Sequence, residues 1–164
     1  MEMWVMATFV LILGLVDDLR SQKVHNGLIL ALLPLTLALS AYFRGMEGLL
    51  LGVGTMLLAL VITLPLFSAR VLGGGDVKLF AVFALAVDPS SMFWTLVYSL
   101  IWGGLFGLTR AALQKQLLAL VRNTYKLALR QKLQVQELHK IPYTFAFLLG
   151  WFTQLTFMRA GGAL

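Results

Sequence analysis

The sequence predicts an all-α, polytopic membrane protein with about six transmembrane helices, forming a single domain over residues 1–164. Three observations predict it. Hydrophobic residues make up 60% of the chain and charged residues 12%, with mean hydropathy +0.88; soluble chains have roughly 45–50% and about 25%. The apolar residues come in long runs, not in the strict alternation of a membrane β-barrel. The polar links between the runs also differ sharply in charge, as expected when alternate links face opposite sides of a bilayer.

The first apolar run extends from about Met3 to Val16 and ends in Asp17-Asp18-Leu19-Arg20. As a helix it reaches only about 21 Å, against a hydrocarbon core of ~30 Å. Either the helix continues through the aspartates or the bilayer thins, so both carboxylates lie at the interface or slightly inside it. Glu2 precedes the run, where a removable signal peptide would have basic residues. A polar link over Ser21–Asn26 leads to a second run, about Gly27–Phe43. Arg44-Gly45-Met46-Glu47 then forms a tight connection to a third, about Gly48–Phe67. Gly48, Gly52 and Gly54 in that run offer sites for close helix contact.

Next comes Leu72-Gly73-Gly74-Gly75-Asp76-Val77-Lys78, a glycine run closed by a carboxylate. Consecutive glycines allow positive φ and close backbone approach. Asp76 is expected in the first turn of a helix, where free N–H groups and the macrodipole favour negative charge. The apolar run Val77–Val87 reaches only about 16 Å, too short to cross alone, so the glycine segment is expected to be drawn inward. Asp88-Pro89 then reads as an N-cap and first helical residue. A fifth run covers about Ser91–Thr109 and a sixth about Tyr143–Phe157. Between them, residues 110–140 repeat leucines and cations at helical spacing, the pattern of an amphipathic helix on an anionic lipid surface.

Placing the links after the first, third and fifth runs on one side gathers eleven of the thirteen Lys and Arg residues there; Arg44 and Arg159 fall on the other. That side is cytoplasmic. The Asp17/Asp18 pair and Asp76 thereby reach the same membrane face at similar depth. Two like charges a few ångströms apart share a proton near neutral pH. The ionised partner takes a proton from water while the protonated one polarises and later protonates an amide, which is aspartyl proteolysis. No cofactor or metal is expected, since cysteine is absent and the two histidines, His25 and His139, are far apart. Nothing in the sequence points to a nucleic-acid partner or to an oligomeric state.

Gly73-Gly74-Gly75-Asp76-Val77-Lys78-Leu79 resembles the GxGD signature of the type IV prepilin peptidases. Asp18 through Asn26 is similar to their first motif, an aspartate followed at a fixed interval by Ile-Pro-Asn or Leu-Pro-Asp; matching Asn26 selects Asp18 over Asp17. Ile141-Pro142-Tyr143, with Ala146 and Gly150, resembles the last segment. His25 stands where that family has proline, and Thr144 where glycine is common. The resemblance implies catalytic Asp18 and Asp76, with Gly73, Gly74, Gly75, Lys78 and Asn26 supporting the site or binding substrate. It also implies a prepilin or pseudopilin precursor as partner, cut at the cytoplasmic face of the bacterial inner membrane just before its apolar helix. Without a cysteine-rich N-terminal region, the chain is similar to short, peptidase-only members such as those of tight-adherence (Flp) pilus systems. Two other readings stand beside this one: a presenilin-like intramembrane protease, and a non-enzymatic scaffold or proton/ion-relay subunit.

Overall fold

The computed structural model describes residues 2–21, 24–113 and 143–161. Among them it is all-helical: α1 (Glu2–Ser21), α2 (Asn26–Ser68), α3 (Gly74–Leu85), α4 (Pro89–Leu113) and α5 (Tyr143–Ala160). Two helices, α2 and the Pro89–Thr109 part of α4, are long and apolar enough to cross a membrane. The all-α expectation holds, with five helices among the described residues where about six spans were expected. Most of the expected amphipathic insert lies outside the described residues; its first four residues continue α4.

The difference in number comes from α2, which contains both the second and third apolar runs. It is interrupted at Gly45 (φ 68°, ψ −171°), a conformation glycine takes without steric cost. A Cβ on Gly52 would lie 3.6 Å from the Ser40 hydroxyl. A straight helix would hold these residues about 18 Å apart, so the chain doubles back at Gly45. Along the two arms, Leu32, Thr36 and Ser40, then Thr55, Ala59 and Thr63, are buried at intervals of four, the spacing of one helical face. In α1 the helix continues through both aspartates to Ser21.

The short α3 is the centre of the bundle. Leu79 through Val87 are all buried, as expected of a helix that is apolar on every side. Phe80 stacks on Phe147 of α5 at 4.7 Å, and Phe83 meets Trp151 edge-on at 5.1 Å. Apolar side chains gain little from leaving lipid for protein, so such contacts hold helices together by close packing and interhelical hydrogen bonds. Gly52 faces the Leu85 carbonyl of α3, while Gly150 of α5 lies against the Thr95–Ser99 backbone of α4. Of the three glycines expected to give close contacts in the third run, Gly52 alone does so between helices: Gly48 faces Arg44, and Gly54 has open space. Trp151 donates its indole N–H to Thr8 (2.8 Å), and Trp102 to Thr153 (3.1 Å). Buried Thr36, Thr63 and Thr95 return their hydroxyls to the carbonyl four residues earlier, so each of these three donors is paired within its own helix.

Candidate active site

The end of α1 and the starts of α2, α3 and α5 meet at one end of this bundle. Asp18 is 6% exposed. Its Oδ2 accepts a 2.6 Å hydrogen bond from the hydroxyl of Thr144, in the first turn of α5. The neighbouring residue of α5, Tyr143, feels the charge of Asp76. Of two adjacent residues at one helix start, one therefore bonds Asp18 and the other lies within electrostatic reach of Asp76. The Tyr143 ring rests over Gly103 of α4, where a Cβ would come within 2.9 Å of it.

Asp76 is the third residue of α3, as expected for a first-turn carboxylate. Its Oδ2 accepts the N–H of Gly73 (3.1 Å), the reach-back half of a capping box. The glycines serve differently from the sequence-based expectation. The positive φ values fall at Gly45 and Arg70, not in the glycine run. Gly73 is the N-cap, and Gly74 and Gly75 belong to the first helical turn, so α3 gains length by helix rather than by irregular backbone. Gly73 and Gly74 are exposed, and only Gly75 and Asp76 are half-buried, so the segment is drawn inward in part. The close approaches are real. A Cβ on Gly75 would come within 3.0 Å of Val24, and one on Gly73 within 2.9 Å of Asp76 Oδ2.

Asn26 and Lys78 are brought together, the Lys78 ammonium donating to Asn26 Oδ1 at 2.9 Å. The N-cap position of α2 belongs to His25, whose side chain makes no capping bond, and Asn26 ties the start of α2 to α3.

Asp17, which the sequence left open, has a partner of its own. Its Oδ2 accepts the backbone N–H of His25 (2.7 Å), and Oδ1 lies 3.0 Å from His25 Nδ1. The pair closes the link between α1 and α2 just beside Asp18.

Among the described residues, no three His, Cys, Asp or Glu side chains are grouped to hold a metal ion. The residue sequence reasoning missed is Thr144. It was legible only as a hydroxyl at the start of an apolar run, where glycine was expected. Ile141 and Pro142 of the same motif lie outside the described residues.

The model of the type IV leader peptidase family matches residues 4–108. That stretch includes both aspartates, the glycine run and Asn26, and ends before α5. No curated protein and no solved structure matches the chain.

Proposed function

Since the chain belongs to the type IV leader peptidase family, we propose that this peptidase is of the aspartic type, with Asp18 and Asp76 as its catalytic pair. The observation that carries this reading is that Thr144 of α5 bonds Asp18 while the adjacent Tyr143 senses the charge of Asp76. With one proton between them, the ionised aspartate removes a proton from water and the water oxygen bonds to the scissile carbonyl carbon. The protonated aspartate hydrogen-bonds the carbonyl oxygen, and the C–N bond then breaks as a proton passes to the departing amine. Gly73, Gly74 and Gly75 keep side chains away from the start of α3, leaving room for an extended substrate backbone. Lys78 and Asn26 hold α2 against α3 so that Asp76 keeps its orientation.

The substrate is a prepilin or pseudopilin precursor with a basic leader before an apolar helix. The chain crosses the bacterial inner membrane with α1, the two arms of α2, α3, α4 and α5, and the site faces the cytoplasm. The test is a purified chain in lipid, given a synthetic precursor, with product masses read directly. One cut immediately before the apolar helix is the expected outcome. A cut inside that helix would support an intramembrane protease instead, and an uncut precursor would overturn the reading.

Thr144 is the positioning residue of this scheme. Its hydroxyl holds one oxygen of Asp18, leaving the other for water. Thr144→Val keeps the shape but removes the donor, and should lower kcat by about 10- to 100-fold, the value of a hydrogen bond to a charged group. KM should be unchanged, and Thr144→Ser should recover most of the rate.

A further inference from the structure

At the opposite end of the bundle, the start of α1, the Gly45 reversal and the α3–α4 link line an open-sided cavity of about 320 Å³. Met3, Trp4, Phe43 and Val87 form its apolar walls, with Arg44 and Asp88 as its charged groups. Arg44 Nη1 is buried with no acceptor among the described residues, a costly state for a guanidinium N–H. Asp88 is held in place by its own helix start, Oδ2 accepting the Ser91 N–H (2.9 Å) and Oδ1 the Ser91 hydroxyl (2.8 Å). Those bonds leave its charge and further lone pairs available. The ion pair among the described residues joins His25 to Asp17, so Arg44 and Asp88 do not form a direct one with each other.

The depth of the cavity follows from its surroundings. Tyr42, Phe43, Phe93 and Trp94 are exposed around this end, and Trp4 is half-buried. Aromatic residues of this kind collect at the level of lipid headgroups. A simple anion would satisfy Arg44 but meet the negative charge of Asp88, and a simple cation would leave Arg44 without an acceptor. A ligand with a phosphate and an ammonium a short distance apart satisfies both.

We propose that this cavity binds the headgroup of a zwitterionic phospholipid from the leaflet opposite the aspartates, with its phosphate on Arg44 and its ammonium toward Asp88. The apolar walls enclose the glycerol and the first part of an acyl chain. This site is separate from the catalytic pair and does not depend on the peptidase reading.

The test uses the full chain purified in detergent, with bound phospholipid counted by native mass spectrometry. It is then titrated with phosphatidylethanolamine, phosphatidylglycerol or inorganic phosphate. The wild type should retain phosphatidylethanolamine in preference to phosphatidylglycerol, and inorganic phosphate should not displace it. Arg44→Gln should weaken retention by about tenfold or more, in keeping with the loss of a charge-assisted bond to phosphate. Asp88→Asn keeps a good helix cap and should abolish the preference between the two lipids; it carries the test on its own if Arg44→Gln fails to fold. Equal retention by wild type and Arg44→Gln, equal preference in wild type and Asp88→Asn, or displacement by inorganic phosphate would overturn the proposal. Precursor cleavage by the same samples reports separately on the aspartates.

Discussion

Asparagine at position 18 or 76 is expected to slow precursor cleavage by about 10³-fold or more, toward the upper range for loss of general acid–base catalysis. Asparagine preserves the shape and one acceptor oxygen, so Thr144 retains a partner at residue 18 and the Gly73 N–H retains one at residue 76. What is lost is the ability to take or give a proton. Because the carboxylates act as a unit, the double variant should be scarcely slower than either single one. Single-turnover cleavage in lipid reads this, with unchanged melting temperature as the control for folding. If either single variant cut the precursor at near the wild-type rate, that residue would have no place in the chemistry.

Gly52→Ala is expected to produce the largest loss of stability. The new Cβ would lie 2.5 Å from the Leu85 carbonyl oxygen, a backbone atom of the central helix that cannot rotate aside. The α2 arm and α3 must separate, which costs about 1–3 kcal/mol for overpacking of this kind. Since α3 also carries Asp76 and Lys78, the displacement should lower activity as well. Gly54→Ala is the matched control, because nothing lies within 4 Å of its Cβ position. There the gain in helix propensity, about 0.5–1 kcal/mol, should raise the melting temperature slightly. Thermal melts in one detergent compare the two variants directly.

The physics of these contacts explains which parts of the protein were legible in the sequence. Hydropathy and link charge depend on solvent, and they correctly indicated an all-helical chain with Asp18 and Asp76 at the same end. Local rules worked where the partners are close in sequence. Asp88 caps α4 through Ser91, and Asp76 falls in the first turn of α3. Long-range pairing was not legible. No local pattern shows that Thr144 would reach Asp18, that Lys78 would bond Asn26 rather than a carboxylate, or that Gly52 would meet Leu85. The use of the glycine run was misread for a related reason. Its small size makes room for Val24 and Asp76, neighbours that only the folded chain supplies, while positive φ was required at Gly45.

The pairing of Asp18 with Asp76 is open to a direct measurement, because the chain contains no cysteine. In the double variant Asp18→Cys/Asp76→Cys the two thiols are the only ones present. Treated in native membranes with an oxidant or a short bifunctional thiol reagent, that variant should become internally cross-linked in high yield, as seen by its altered gel mobility and the loss of free thiol. Two thiols that each label independently and never join would contradict the shared site.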